Sequence, residues 1–322
     1  MATSTRVLFI GGEGRSGSTV LERLIAAQPD TVAVGELKNL FERGVADAEL
    51  CGCGQGVRDC ALWSEVGRRL VGGWDTSAGR ELVTFFTRVN ARRELPVILA
   101  GRGPLVARAR SVLADLYPII AEVSGSSLVI DSSKHPAWAY LLAGTAGIDL
   151  RVVHLVRHPS AVVHSWSRPV RRPHSATGTG DRVMAAQSPV EVGVRWDVFN
   201  LLYRHLARRG VPTEVVRYED YVDDVDRTLR TCMALVGRSY RPAPGLAVGH
   251  GIAGNPSRFA VEGAPVERDD RWLLQMGTAR HLLVSGLTWP VRSTYGYRSS
   301  RAAPVGPLPP PADPPDRSPL PG

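Results

Sequence analysis

The sequence predicts an α/β fold in which helices flank a central parallel sheet. Short apolar segments rich in β-branched residues alternate along the chain with longer segments whose apolar residues recur at helical spacing. Glycine-rich or charged residues directly follow several of the apolar segments. Because the carboxyl ends of parallel strands meet at one edge of a sheet, these residues are expected to lie close together. A length of 322 residues with 43% hydrophobic content is enough for one large core.

The elements alternate regularly along the chain. Apolar runs predict strands at residues 5–11, 31–34, 127–131, 151–156 and 213–217. Helical spacing of apolar residues predicts helices at residues 62–70, 80–91, 105–121, 189–208 and 225–236. The first three of these helices belong to an insertion, residues 60–123, which we expect to form a helical cap over the substrate pocket.

We expect residues 1–303 to form a single domain. Within it, residues 168–187 are rich in Pro, Arg, Thr and Gly, which favours a loop at the mouth of the site. From Pro304 onward, nine of nineteen residues are proline. Such a segment lacks the apolar side chains that a core needs, so residues 304–322 are expected to form a disordered tail.

A glycine-rich turn joins the first predicted strand to a helix. Its spacing, Gly12-x4-Gly17-Ser18-Thr19, matches a P-loop except that Ser18 stands where nucleotide triphosphatases carry a lysine. The cation of this turn, Arg15, lies inside the loop. Backbone N–H groups, the positive end of the helix dipole and a guanidinium together suit one tetrahedral phosphate. The predicted P-loop-like phosphate site therefore consists of Gly14, Arg15, Ser16, Gly17, Ser18 and Thr19.

A second candidate phosphate site follows the strand predicted at 151–156. Arg157 comes directly after this strand, Pro159 is suited to open a helix, and Ser165 follows Arg157 by eight residues. Arginines commonly end strands, so this pair would mean little alone. Together with the glycine-rich loop, it indicates a ligand that carries phosphates at two separated points.

The two segments GRSGST, residues 14–19, and LVRHPSAVVHS, residues 155–165, resemble the cofactor signatures of sulfotransferases. These enzymes use 3′-phosphoadenosine-5′-phosphosulfate (PAPS) as sulfuryl donor. The resemblance spans about residues 5–297 and is greatest to a bacterial branch that is similar to carbohydrate and tyrosylprotein sulfotransferases. It implies that the loop binds the 5′-phosphosulfate, that Arg157 and Ser165 bind the 3′-phosphate, and that the acceptor is a hydroxyl of a small molecule or glycan.

The resemblance also implies catalytic residues. Glu36, just past the second strand, matches a glutamate that takes the acceptor proton, and Lys134 matches a lysine that stabilises the transferring sulfuryl group. Arg15 is expected to stabilise charge as well as to bind the donor. His135 is the alternative base, because cytosolic sulfotransferases use a histidine on the loop after the third strand.

Two further residues are implied for donor binding. Tyr218 matches a family tyrosine that lies beside the adenine, although a packed core tyrosine would look the same in the sequence. Arg258 lies where a late basic segment of the family folds over the 3′-phosphate.

Two other classes of function stay open at this point. A P-loop kinase is disfavoured by Ser18 in the lysine position and by the Arg157–Ser165 pair. A non-catalytic nucleotide-binding protein would keep the same fold. No metal is expected in the reaction, because the bisphosphate product is already a good leaving group.

The net charge of +8 raises the question of nucleic-acid binding. The arginines are scattered rather than placed along one helix, so we expect no nucleic-acid partner. The apolar segment near the start of the sequence has only four residues before Gly11, too few for a signal peptide or a membrane span. We therefore expect a cytoplasmic protein without a membrane span.

Three of the four cysteines, Cys51, Cys53 and Cys60, lie within ten residues. They could bind zinc with one ligand from elsewhere, but structural zinc sites usually show two paired motifs. A redox-labile disulfide is a further alternative. The interpretation we favour from the sequence is a glycine-rich loop with reduced thiols beneath Trp63.

Overall fold

A five-stranded parallel sheet forms the centre of the computed structural model, which describes residues 4–171, 183–242, 245–247, 249–255, 259 and 268–297. Its strands are β1 (Thr5–Gly11), β2 (Thr31–Gly35), β3 (Leu128–Lys134), β4 (Ile148–Val156) and β7 (Thr213–Arg217). They lie in the order β2-β3-β1-β4-β7 and every neighbouring pair is parallel. Two short strands, β5 (Val170–Arg171) and β6 (Val183–Met184), form a separate antiparallel pair.

The strand order places the glycine-rich loop at a crevice. After β1 the chain builds β2 and β3 on one side of it, and then crosses to build β4 and β7 on the other. The loops after β1 and its neighbours therefore diverge at the carboxyl edge of the sheet, which is where α/β folds bind ligands.

Thirteen α-helices occur within the described residues. They are α1 (Ser18–Ala26), α2 (Ala61–Val71), α3 (Ser77–Val89), α4 (Leu95–Ala100), α5 (Pro104–Ser124), α6 (Pro136–Ala143), α7 (Pro159–Trp166), α8 (Pro189–Arg208), α9 (Tyr218–Asp223), α10 (Val225–Leu235), α11 (Arg271–Gln275), α12 (Thr278–Leu287) and α13 (Trp289–Ser293). Leu37–Asn39 and Arg92–Glu94 form 3₁₀ turns, and Leu40–Ala46 forms a π-helical segment. None of the helices in the described part of the chain combines the length and apolar character that a membrane span requires.

Both faces of the sheet are covered. Along β1, Val7 and Phe9 face the core shared with α2, α3 and α5, whereas Leu8 and Ile10 face the core shared with α1 and α10. All four side chains are fully buried, and burial of each such side chain stabilises the fold by about 1.5–3 kcal/mol. This two-sided burial explains why the strands read as continuous apolar runs rather than as alternating ones.

The predicted α/β fold is confirmed, but one boundary was wrong in a way that matters for the site. Strand β3 continues to Lys134, whereas the sequence predicted a loop after residue 131. The polar end of the strand is buried because Asp131 accepts hydrogen bonds from Tyr117, Trp138 and Ser133. Burial also raises the pKa of Asp131 to about 6.

Several predictions fall on residues outside the described ranges. These are Arg258, the tail over residues 304–322, and residues 172–182 of the loop predicted at the mouth of the site. The three helices predicted in the insertion correspond to α2, α3 and α5, between β2 and β3. The strand pair β5–β6, helices α4, α6 and α9, and the three helices after residue 270 had not been predicted.

Candidate active site

A cavity of about 960 Å³ opens at the carboxyl edge of the sheet. Among the site residues predicted from the sequence, those that line this cavity are Gly14, Arg15, Gly17, Ser18, Thr19, Glu36, Lys134, Arg157, Ser165 and Tyr218. Ser16 is buried beside it, and its hydroxyl finds no hydrogen-bond partner among the described residues. The structure therefore brings residues from five separate parts of the chain to one place.

The loop after β1 depends on two glycines. Gly12 has φ 139°, and a Cβ added there would lie 2.1 Å from the carbonyl oxygen of Leu155. Gly17 has φ 89°, and its added Cβ would lie 2.9 Å from the ring of Tyr218. Any side chain would meet a clash as well as an unfavourable φ at both positions. The loop can therefore pass close to β4 and to Tyr218 only with glycine here.

The same loop presents a cation and a helix N-terminus to the cavity. Helix α1 begins at Ser18, and the N–H groups of a first helical turn have no intrahelical partners. Arg15 adopts φ 70°, a left-handed conformation that is uncommon for a residue with a side chain. Its guanidinium lies 4.9 Å from the ring centre of Trp166. This arrangement of donors is suited to an anion such as a phosphate.

Arg157 forms a second cationic point, and its side chain is only 6% exposed. It donates hydrogen bonds to the carbonyl oxygens of Arg15 at 2.9 Å and Asp269 at 2.6 Å, and lies 4.1 Å above the Tyr218 ring. Its Nε finds no partner among the described residues. Ser165, on α7, lines the same cavity. The Arg157 guanidinium is thus held in place, while its Nε–H has no acceptor within the described part of the chain.

Glu36 follows β2 directly and is surrounded by cations. Lys134 donates to its Oε1, Asn39 donates to Oε2 at 2.8 Å, and Arg43 Nη1 lies 3.9 Å from Oε2. Burial alone would raise the pKa of Glu36, but the charges of Lys134 and Arg43 outweigh burial and hold the pKa below its ordinary value. Glu36 is therefore an ionised carboxylate at neutral pH.

Lys134 reaches Glu36 from an unusual backbone conformation at the end of β3. Its φ is 64°, in the left-handed region. The surrounding structure holds it there, because its carbonyl oxygen accepts hydrogen bonds from the Tyr203 hydroxyl at 2.6 Å and the Gly12 N–H at 3.2 Å. Strained residues of this kind persist only where neighbouring contacts fix them, and they cluster at functional sites.

His135 also lines the cavity, but the lone pair of its Nδ1 is already engaged in a hydrogen bond. Nδ1 accepts the N–H of Ala137 at 3.2 Å and so caps helix α6, which leaves the ring proton on Nε2. Burial and the nearby charges of Lys38 and Arg195 lower the pKa of His135 to about 3. A neutral imidazole with its lone pair already in use is poorly suited to accept a proton.

Comparison with solved structures identifies the fold. The sulfotransferase domain of the Synechococcus PCC 7002 olefin synthase aligns with 92% of this chain and 97% of its own, with a TM-score of 0.54 and 19% sequence identity. The chain has a sulfotransferase fold. The sulfotransferase domain from the curacin biosynthetic pathway aligns with 89% of this chain and 97% of its own, at a TM-score of 0.47 and 16% identity. Neither a protein-family model nor a curated protein matches the sequence.

A buried carboxyl group, that of Glu22, supports the candidate active site. Glu22, on α1, accepts hydrogen bonds from the Gly35 N–H and the Ser132 hydroxyl, both at 2.6 Å. It therefore links α1 to the ends of β2 and β3, next to Glu36. Burial raises the pKa of Glu22 from its ordinary value of 4.5 to about 7.

We expect the Glu22→Gln variant to lose less stability than the wild type as the pH rises from 4.5 to about 7. Because the pKa of Glu22 is raised in the folded state, the folded protein holds a proton that the unfolded chain releases between pH 4.5 and about 7. Wild-type stability therefore falls across this window, whereas the neutral amide has nothing to release. The free energy of unfolding of the variant minus that of the wild type should rise by about 3 kcal/mol.

Denaturant unfolding at pH 4.5 and pH 8 measures this difference. Asp131 also has a raised pKa and its charge acts on Glu22, but it is present in both proteins, so most of its own contribution cancels in the difference. If the free energies of unfolding of the variant and the wild type differ by the same amount at both pH values, then Glu22 is already ionised in the folded state.

Lys38 was not predicted as a site residue, although the composition offers a signal for it. Only two of the 39 lysine and arginine residues are lysines, Lys38 and Lys134, and both line the cavity. Burial lowers the pKa of Lys38 despite the opposing charge of Glu36. Arg195 and Glu13, which form an ion pair at 2.8 Å at the glycine-rich loop after β1, were also missed. This ion pair joins α8 to the loop, and no sequence motif marks either of its residues.

Proposed function

We propose that this protein transfers the sulfuryl group of PAPS to a hydroxyl group of a small molecule or glycan. The observation that carries the proposal is one cavity lined both by Arg15, in the loop after β1, and by Arg157, at the end of β4, beside an ionised carboxylate paired with a lysine. A ligand with two separated anionic groups would use both arginines, whereas a ligand with a single phosphate would leave one of them unused. The sulfotransferase fold supports the proposal.

The cavity contains residues of suitable chemistry for each part of the PAPS donor. The backbone of residues 14–19 and the Arg15 guanidinium would bind the 5′-phosphosulfate, through the helix N-terminus and a charged hydrogen bond. Arg157 and Ser165 would bind the 3′-phosphate, which could take up the unsatisfied Nε of Arg157. Tyr218 would contact the adenine. The cavity volume of about 960 Å³ is at the upper end of the range for small-molecule sites.

The proposed reaction requires a base for the acceptor hydroxyl and cations that stabilise the negative charge on the transferring group. As the acceptor oxygen forms a bond with sulfur, the S–O bond to the 5′-phosphate breaks and 3′-phosphoadenosine-5′-phosphate leaves. The hydroxyl proton passes to Glu36, which is ionised and therefore able to accept it. Lys134 and Arg15 would stabilise the charge on the sulfuryl and bridging oxygens, as cations do in phosphoryl transfer.

We expect Arg157→Ala to weaken binding of 3′-phosphoadenosine-5′-phosphate by about 10- to 100-fold, because a charged hydrogen bond contributes about 1.5–3 kcal/mol. Adenosine-5′-phosphosulfate lacks the 3′-phosphate and should lose much less affinity. Calorimetric titration of wild type and variant with both ligands tests the assignment.

The second ligand serves as the control, because Arg157 also holds Arg15 and Asp269 in place. Equal weakening of both ligands would show that Arg157 supports the loop without contacting a 3′-phosphate. A wild-type protein that binds magnesium-ATP more tightly than the bisphosphate would instead indicate a nucleotide kinase.

A further inference from the structure

Three cysteines and a histidine meet at a position away from the candidate active site. The ligand atoms of Cys51, Cys53, Cys60 and His250 all lie within 4.8 Å of one another. His250 Nδ1 lies 3.3 Å from the Cys60 sulfur and 3.8 Å from the Cys51 sulfur. The cysteines precede α2, whereas the histidine comes from a segment 190 residues beyond Cys60. None of the four lines the active-site cavity.

We propose that these four residues bind one Zn²⁺ ion as a structural site. Zinc binds thiolate sulfur at about 2.3 Å and imidazole nitrogen at about 2.0–2.1 Å in tetrahedral geometry, which sets ligand separations of about 3.5–3.8 Å. The observed separations from His250 Nδ1 differ from these values by only a few tenths of an ångström. Three thiolates and one imidazole form a donor set that zinc favours over the harder cations.

The local backbone is shaped for metal-binding thiolates. Gly54 adopts φ 84° and donates its N–H to the Cys51 carbonyl oxygen at 2.9 Å, which closes a tight turn around Cys53. The Cys51 N–H donates to the Gln55 carbonyl oxygen and the Cys60 N–H to the Gly56 carbonyl oxygen, both at 2.8 Å. These backbone hydrogen bonds hold the cysteine loop in one shape, so its thiols are positioned before a metal binds.

Four protein ligands would leave no open coordination position, which is typical of structural rather than catalytic zinc. The ion would fix the segment around His250 to the cysteine loop, where Gly52 N–H already donates to the Gly251 carbonyl at 2.9 Å. The same segment pairs with the end of β2, because the Glu36 N–H donates to the Ile252 carbonyl at 2.8 Å. The zinc site would therefore hold the strand end that positions the proposed base.

This assignment differs from the interpretation favoured by the sequence, in which the thiols were only packed beneath Trp63. Trp63 does lie at the cluster, and its Nε1 donates to the His250 carbonyl at 2.8 Å. The four cysteines, all within the described ranges, form no disulfide. The fourth ligand was not visible in the sequence because only the fold brings His250 to the cysteines.

Metal analysis of the 322-residue chain tests the proposal. Protein purified under reducing conditions and dialysed should contain about one zinc ion per chain. Replacement of zinc by Co²⁺ should give thiolate-to-cobalt charge-transfer absorption and the strong visible bands of a tetrahedral site. Zinc affinity should fall at least about 100-fold in Cys53→Ala and in His250→Ala, since even loss of a supporting residue lowers metal affinity 10–100-fold.

Cys232→Ala is the matched control, because Cys232 is the one cysteine outside the cluster and lies in α10. It should keep its zinc, and a zinc chelator should lower the melting temperature of this variant and of the wild type. If a ligand variant does not fold, zinc content and the cobalt spectrum of the wild type still decide the question. Wild-type protein that binds no zinc, a cobalt complex without thiolate absorption, or a disulfide between two of these cysteines by mass spectrometry would overturn the proposal.

Discussion

Replacing Glu36 with glutamine should lower the turnover number about 10²–10⁴-fold, the usual contribution of a general base. The amide keeps the shape of the side chain and can still accept the hydrogen bond from Lys134, but it cannot take the acceptor's proton. Binding of 3′-phosphoadenosine-5′-phosphate should change little, because no phosphate contacts this carboxylate in the proposed complex. Steady-state turnover at saturating donor, combined with calorimetric binding, separates the two effects.

His135→Asn is the matched control for this experiment. Asparagine is a good N-cap, so helix α6 should keep its capping interaction. We expect a much smaller loss of turnover than for Glu36→Gln, since the His135 lone pair is already used by Ala137. An inactive His135 variant beside an active Glu36 variant would reverse the assignment and make His135 the base.

Features encoded by neighbouring residues were predictable from the sequence. The glycine spacing after β1 predicted a tight turn into helix α1, because such a turn needs particular residues at particular positions. Helix α8 was predicted at residues 189–208 and is observed at Pro189–Arg208, since both its apolar period and its first proline are local signals. The five strands of the central sheet were also predictable, because strands buried on both faces form continuous apolar runs.

Features that depend on distant contacts were not predictable. The end of β3 reads as a polar loop, but it pairs with β1 as far as Lys134, and the Asp131 carboxylate is buried against Tyr117 and Trp138. The contact between Arg157 and Asp269 joins segments more than 100 residues apart. His250 meets the cysteines for a similar reason. Local propensity contains no information about such partners, whereas tertiary packing decides them.

The pairing of Glu36 with Lys134 leads to a second large effect. We expect Lys134→Met to lower turnover about 10²–10³-fold, comparable to removal of one donor from an oxyanion-binding site. Methionine keeps most of the aliphatic stem, so the loss should come from the missing charge. Turnover measured at saturating donor and acceptor tests this expectation.

The same variant should change the pH dependence of turnover in a definite direction. In the wild type, the charge of Lys134 opposes the effect of burial and helps to hold the pKa of Glu36 below its ordinary value. Without that charge, burial has more weight and the pKa of Glu36 rises. Protonation then removes the base at a higher pH, so the acidic limb of the turnover profile should move to higher pH in Lys134→Met.

Lys134→Arg separates the two roles of the lysine. A guanidinium keeps the positive charge beside Glu36 but differs from an ammonium in shape and in the geometry of its hydrogen bonds. The acidic limb should therefore stay close to that of the wild type, even where the arginine stabilises the sulfuryl group less well and turnover falls. If Lys134→Met instead lowers turnover equally at every pH and leaves the acidic limb in place, then Lys134 does not control the ionisation of Glu36, and a carboxylate held ionised by this lysine is the wrong description of the base.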